Sequence, residues 1–444
     1  MFRSLTGLLL MLLPLLNPVQ AQDSPPEFLQ SGPMVGYSEM KEVLLWVQTK
    51  ANAQVQFRYW EVDNPVDTFY TSLVETGPEK AFTAKLLADQ VEPGKIYGYD
   101  LLIFGEAIEL DYPTTFRSQP LWKWRTDAPD FNMVIGSCFY VNDPPYDRPG
   151  DPYGSDFQIL DAIYDRHPDL MLWLGDNVYL READWYSRTG ILYRYTHTRS
   201  HPKLQRLLAS THHYATWDDH DYGPNNADRS YIHKDKTREA FELFWGNPTF
   251  GLDNRHGITT FFQWHDIEFF VLDNRYFRAP DFRHSGERTQ LGKEQLEWLI
   301  DALSYSLAPF KMVVLGGQVL NTAKVSETYT NYYPEERLYL LERIEDENIK
   351  GVIFLTGDRH FTELSRYVNR RGNAVYDLTV SPLTAGVNTR PEKSNYLRVE
   401  GTGVSEHNFG LLEFTGPTGQ RELTIRIINA EGEELWQHII PQER

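Results

Sequence analysis

Six short apolar runs along the chain each end on a polar residue that can hold a metal or a phosphate: MVIGSC, LMLWLGD, YATWDDH, FFVLD, MVVLGGQ and VIFLTGD. A short apolar run stopped by Gly or Asp reads as a buried strand. The pattern places Cys138, Asp176, Asp218 with Asp219 and His220, Asp273, Gln318, and Asp358 with His360 at strand C-terminal ends. In α/β proteins that edge carries the chemistry, because strand ends are rigid and the loops after them are free to bear polar groups.

Helical periodicity separates several of these runs. Ser155 is placed to cap a helix over residues 156–166, which Pro168 ends before LMLWL. Leu296, Leu299, Ile300 and Leu303 recur at helical spacing ahead of MVVLG, and a third helix begins at Pro334 before VIFLTG. Three helix-to-strand units predict an α/β core. From Phe28 to Trp124 there is no helical period. EVLLWVQTK and VQFRYWEV alternate instead, with turn signals at Asp63-Asn64-Pro65 and Glu92-Pro93-Gly94. The segment LLADQVEPGKIYGYDLLI looks like the turn and strand of fibronectin-like sandwiches. Residues 27–125 are therefore predicted to form an all-β sandwich domain, and residues 130–444 a catalytic domain. Beyond His360, NAVYDLTV, FGLLEFTG and LTIRIINAEGEELWQHII predict a second sheet packed on the first.

Composition narrows the class. At 444 residues, with 41% hydrophobic, 24% charged and 14% aromatic residues, the chain has enough apolar surface for two or three folded domains. Its first residues carry Arg3, a leucine-rich stretch and Val19-Gln20-Ala21, the marks of a signal peptide over residues 1–21 cleaved near Ala21. Pro14 and Asn17 break that stretch and no later run is long enough for a transmembrane anchor, so a secreted or periplasmic protein is expected. The net charge of −19 is spread without a basic block, which excludes general nucleic-acid binding. A phosphoester substrate would have to be attracted by metals and a few local arginines. No partner protein is indicated.

The strand-end motifs supply candidate chemistry. The single cysteine, Cys138, is either a buried small hydrophobe or a metal ligand, and its place straight after a strand favours the ligand. In Gly175-Asp176-Asn177-Val178-Tyr179 a carboxylate that can bridge two cations lies three residues from a phenol. Tyr179 either binds a hard ion such as ferric iron as a phenolate or packs under the loop. In Trp217-Asp218-Asp219-His220-Asp221 the clustered carboxylates repel one another unless cations or basic groups offset them. Beside them and a substrate dianion, the His220 pKa is expected to rise, making it the proton donor to a leaving oxygen. Asp358 and His360, at i and i+2, can bind two adjacent ions if their loop stays extended. Arg275 either holds a phosphate through paired hydrogen bonds or forms a salt bridge with Asp273. Asn225 and Asn226 are neutral ligands, phosphate contacts or ordinary turn residues. His197, His201, His212 and His213 read as surface residues.

Taken in order, GSC, GDNVY, WDDHDYGPNN, LDNR, GGQV and GDRH resemble the alkaline phosphatase D family of the calcineurin-like metallophosphatases, from about Phe28 to the C-terminus. The resemblance implies a four-layer sandwich, two sheets between helices, behind the β-sandwich, and a dinuclear site. It implies that Cys138, Asp176, Tyr179 and His360 hold one ion, that Asp219 and Asp358 hold the second, and that Asp176 is shared. Gln318 stands where relatives often carry a histidine ligand. The family is associated with iron and calcium. Thiolate and phenolate suit ferric iron and carboxylates suit calcium, with zinc or manganese as other candidates. Leu180 follows Tyr179 where the family often has an acid, and Arg3 stands alone where a twin-arginine signal is usual. The reading is an exported phosphomonoesterase or phosphodiesterase that uses metal-activated water, with His220 as acid and Arg275 steadying the charge. Its rivals are a phospholipase D-type phosphodiesterase and a non-catalytic cell-surface binding protein retaining the fold.

Overall fold

The computed structural model describes residues 25–391 and 394–443, so the expected signal peptide lies outside the described residues. All six apolar runs are strands, and they divide between two sheets. Phe131–Gly136, Leu170–Leu174 and His212–Thr216 lie parallel and adjacent in one; Ile267–Val271, Lys311–Val314 and Val352–Thr356 do so in the other. Parallel pairing brings the C-terminal ends of each trio to one edge.

The first sheet has nine strands and the second six. Between them, Met133, Ile135, Leu172 and Leu174 meet Phe269, Val271, Met312 and Leu355 in a buried apolar layer. The alternate residues face outward, as strand geometry requires. Val134, Met171 and Trp173 pack on helices Gln158–Tyr164 and Pro202–Ser210, while Phe270, Val313 and Phe354 pack on Lys293–Tyr305 and Pro334–Asp346. The result is a mixed α/β fold with helices flanking both sheets. Sheets covered on both faces need strands apolar throughout, which is why these runs do not alternate.

Three details differ from the sequence reading. The helix expected over 156–166 is Gln158–Tyr164, because the chain at Ser155 is tied by its N–H to the Thr384 carbonyl, 2.7 Å away, and turns helical only beyond it. The C-terminal segments do not make one sheet. Ala374–Thr379 joins the six-stranded sheet, whereas Asn408–Thr415, Glu422–Asn429 and Glu434–Pro441 extend the nine-stranded one beyond Phe131–Gly136. Apolar pattern specifies a strand and its buried faces, not its neighbour. His212 and His213 are buried rather than on the surface, since they open a strand covered on both sides. The His212 ring is hydrogen-bonded to the Gly36 carbonyl at 2.8 Å and the His213 ring to Trp173 Nε1 at 3.0 Å.

The N-terminal strands also enter the large sheet. Leu29–Ser38 pairs in parallel with His212–Thr216, Val35 opposite His212, and is followed by Val43–Thr49 and Thr83–Ala88. Gln54–Glu61 and Ile96–Ile103 belong to a separate antiparallel sheet, and Val43, Leu45, Phe57, Tyr59, Tyr99 and Leu101 fill the space between the two layers.

Candidate metal centre

Every predicted metal-site residue lies at the common edge of the two parallel trios. Cys138, Asp176 and Asp219 follow strands of the large sheet, and Asp358 and His360 follow a strand of the small one. Donor atoms fall into three groups, each with all its atoms within 4.8 Å of one another: Cys138, Asp176 and His360; Asp176, Asp219 and His220; Asp218, Asp219 and Asp358. Asp176 links the first group to the second, and Asp219 the second to the third.

Backbone strain accompanies this convergence. Cys138 (φ 59°), Asp176 (53°), Asp358 (67°) and His360 (56°) all adopt the left-handed region. For residues with a Cβ that conformation costs about 1–2 kcal/mol each. It turns the side chain out of the strand direction at once, so donors from neighbouring strands meet over the sheet edge. Glycine makes the approach close enough. A Cβ on Gly175 (φ 97°) would lie 2.8 Å from Asp218 Cβ, and one on Gly357 would lie 2.6 Å from Ser137 Cβ.

The contacts describe two halves. In the first, Cys138 Sγ lies 3.7 Å from Asp176 Oδ2 and accepts from Ser381 Oγ at 3.1 Å. Tyr179 Oη lies 3.3 Å from both Asp176 Oδ2 and His360 Nε2. Burial pushes the Cys138 thiol up to about 12 and the Tyr179 phenol well above its ordinary value. It also pushes Asp176 well up, with Asp219 and Cys138 adding to the effect. The second half carries a counter-charge. Arg275, fully buried, bonds Asp218 through Nε, lies 3.4 Å from Asp219, and bonds Glu327 at 2.7 Å. Burial alone would raise Asp219, but Arg275, His220 and the Asn226 N–H hold it down at about 2. Asp358 is pushed well up by burial and by Glu327.

These donors fit metal ions. Three buried carboxylates, the half-buried Asp358 and a thiol converge, and Asp218 Oδ2 and Asp358 Oδ2 have no hydrogen-bond partner. Buried polar atoms are normally satisfied, so unpartnered acceptors on two carboxylates that come within 4.8 Å of each other suit a cation.

The other predicted residues divide. His220 stacks on Tyr179 with ring centroids 4.3 Å apart, and its backbone N–H donates to Asp176 Oδ1 at 3.2 Å. Its pKa moves down, not up as expected: burial dominates, and His360 and Arg275 outweigh part of the pull of Asp219. The Asn226 N–H donates to Asp219 Oδ2 at 2.6 Å, while the exposed Asn225 side chain donates to Asn226 Oδ1. Arg275 makes no side-chain salt bridge with Asp273, which instead accepts from the Trp217 indole and the Arg275 backbone N–H. Gln318 is turned away from the centre, donating to Glu363 at 2.8 Å and Thr379 at 2.9 Å.

Several contributors carry no sequence signal that marks them. Glu327, in the left-handed region (φ 66°), also lies 3.2 Å from the buried Arg278. It sits in the ordinary polar stretch VSETYT. Ser381 and Tyr153, whose Oη lies 3.3 Å from His360 Nδ1, arrive from loops. Only Asp218, within the acidic run, was legible as a charged neighbour.

Comparisons with known proteins bear on the family and the fold. The profile of the PhoD-like phosphatase family matches residues 150–413, which leaves Cys138 ahead of the matched stretch. Alkaline phosphatase D of Bacillus subtilis (strain 168) is 25% identical over 357 residues, covering 68% of this chain and 58% of that protein. The chain therefore spans little more than half the length of that curated relative. Among solved structures, a structure of PhoD superposes with a TM-score of 0.76 at 17% identity, covering 95% of this chain and 92% of that one. Purple acid phosphatase PPD1 from yellow lupin (Lupinus luteus) seeds superposes with a TM-score of 0.65 at 12% identity, covering 93% and 74%. Both likenesses concern the fold. Among the described residues no helix is long and apolar enough to cross a membrane. A family profile that matches more than half of the chain decides its kinship: the chain belongs to the PhoD-like phosphatase family.

Proposed function

We propose that this chain is an exported, metal-dependent phosphoester hydrolase with a dinuclear centre. Cys138, Asp176, Tyr179 and His360 would hold one ion, and Asp176, Asp219 and Asp358 the other. Iron and calcium suit the thiolate–phenolate and carboxylate sets respectively, with zinc or manganese as substitutes. The observation that carries the reading is the chain of donor groups joined through Asp176 and Asp219. Kinship with alkaline phosphatase D supports the reaction class.

Bound ions would supply Lewis acidity toward the phosphoryl group and the attacking water. The residues do the rest. His220 borders a cleft with Asn225, where it can give a proton to a leaving oxygen. A phosphate dianion seated beside the ring would act against the effect of burial. Asn225 offers a neutral amide to the substrate, and Asn226 positions Asp219. Arg275 holds Asp218 and Asp219 in place and offsets their charge from beneath, its guanidinium fully buried. The leader over residues 1–21, cleaved near Ala21, would deliver the enzyme to the periplasm or medium. Residues 27–125 would act as an all-β sandwich unit beside a catalytic unit of residues 130–444.

Turnover of para-nitrophenyl phosphate and its bis-ester by the purified mature protein tests the reading. Activity should vanish with a chelator, return on reloading, and accompany two ions per chain by elemental analysis. Silence toward both esters after loading with iron, calcium, zinc or manganese would remove it.

A further inference from the structure

A cavity of about 690 Å³ adjoins the centre on the side of His220 and Tyr179. It is far larger than a phosphoryl group needs and falls in the range of about 300–1,000 Å³ typical of sites for drug-sized ligands. Its outer wall is the segment Pro144–Tyr153, which holds four prolines. Prolines fix φ and leave little freedom to lose on binding.

Buried charges pin that wall from below. Arg181 reaches Asp147 at 2.9 Å and the Val141 carbonyl at 2.7 Å, and its guanidinium lies 4.1 Å over the Tyr140 ring. Arg194, fully buried, bonds Asp143 at 3.0 Å and Asp184 at 2.8 Å. Asn142 closes the loop by two hydrogen bonds with Gly154, at 2.8 and 3.0 Å. Opposite the wall stands the half-buried Trp185, its indole N–H fixed on the Leu180 carbonyl at 3.1 Å.

The lining has a definite charge balance. Arg181 is matched by Asp147, and Arg148 lies 3.7 Å from Glu182. Asp151, exposed in the wall, has no ion pair among the described residues. The aromatic faces of Tyr140, Tyr153 and Trp185 complete the surface.

Resting on the hydrolase reading, we propose that this cleft is the binding site for the leaving alcohol, and that it selects a bulky, ring-bearing alcohol of zero or positive charge. The group expelled must lie beside its proton donor, and the cleft begins at His220. Trp185 and the tyrosines offer stacking faces, which also attract cations. Asp151 repels an anionic alcohol such as one bearing a carboxylate or a further phosphate.

Four phosphate monoesters test this on the metal-loaded, full mature chain: methyl, phenyl, meta-trimethylammoniophenyl and meta-carboxyphenyl phosphate. In the wild type kcat/KM should be lowest, among the aryl esters, for the carboxylated one. Trp185→Leu should lower kcat/KM for phenyl relative to methyl phosphate about fivefold, the size of a lost aromatic contact. The ratio to methyl phosphate cancels any general loss from misfolding. Asp151→Asn should raise the carboxyphenyl-to-phenyl ratio about threefold, and less in high salt. Because each ratio is compared between variant and wild type, intrinsic leaving-group reactivity cancels. Normal turnover with both ratios unmoved overturns the cleft assignment and leaves the hydrolase reading standing. Absence of turnover of all four monoesters overturns the cleft assignment, and the hydrolase reading falls with it only if the para-nitrophenyl bis-ester is silent as well.

Discussion

Two buried polar regions lie close together at the edge of the sheets, and they are built on opposite principles. Around Gln318 nearly every group is matched. Its amide donates to Glu363 and Thr379 and accepts from Asn321 at 2.7 Å, while Asn395 donates to Glu363 at 2.8 Å. Asp377 takes the N–H groups of Val319 and Leu320 at 2.8 and 2.7 Å and the Thr356 hydroxyl at 2.8 Å. In the candidate centre the acids crowd one another, two carboxylate oxygens are orphaned, and four residues sit in strained backbone. A satisfied network rigidifies the fold, whereas an unsatisfied one keeps its valence for something that is not protein. The contrast also explains why Gln318 stays out of the centre: its hydrogen-bonding capacity is already used.

The largest expected effect tests the unsatisfied side. Asp176→Ala should abolish turnover and lower metal affinity by more than about 100-fold, since even outer partners of ligands are worth 10–100-fold. The metal-free variant should nonetheless melt no lower than the metal-free wild type, because a crowded buried acid has been removed. Metal analysis beside thermal unfolding with chelator decides; a large loss of stability in the metal-free variant would erase the contrast.

On the satisfied side the pattern should invert. Glu363→Ala removes the carboxylate that accepts from Gln318, Asn395 and Arg398, and breaking a buried pair of this kind costs about 3–5 kcal/mol. Urea unfolding of the metal-free form should report that loss, while metal stoichiometry in the folded fraction stays at the wild-type value.

The smallest effect comes from the core histidines. Burial pushes His212 and His213 each down to about 3. Above the unfolded value of about 6.5 both states are neutral and stability is unaffected. As pH falls from there toward 3 the unfolded chain binds protons the fold refuses, so stability is lost progressively, by about 2 kcal/mol per histidine at pH 5. His213→Gln should flatten part of the decline in unfolding free energy between pH 7 and pH 5; an unchanged slope would mean the ring is protonated in the fold.

What could be read from the chain followed locality. The six strand ends, the three helices, and the acidic and histidine donors announce themselves within a few residues, because an apolar run and its terminating polar group are contiguous. Glu327 and Arg278 do not, since their meeting with Arg275 depends on how a long loop returns to the edge. His212 and His213 misled for the reverse reason: two polar residues in a row suggest solvent, yet each ring finds backbone or indole partners inside. The down-shifted His220 shows the same limit, because neighbouring acids are visible in sequence and desolvation is not.

The pairing of Leu29–Ser38 with His212–Thr216 carries a practical consequence for anyone dissecting the molecule. A fragment beginning after residue 125 would lose Leu29–Ser38 and leave His212–Thr216 as the outermost strand of its sheet. Open flanks of that sort recruit other chains edge to edge. Such a fragment should come out of expression as aggregate, even though it retains every residue assigned to the centre.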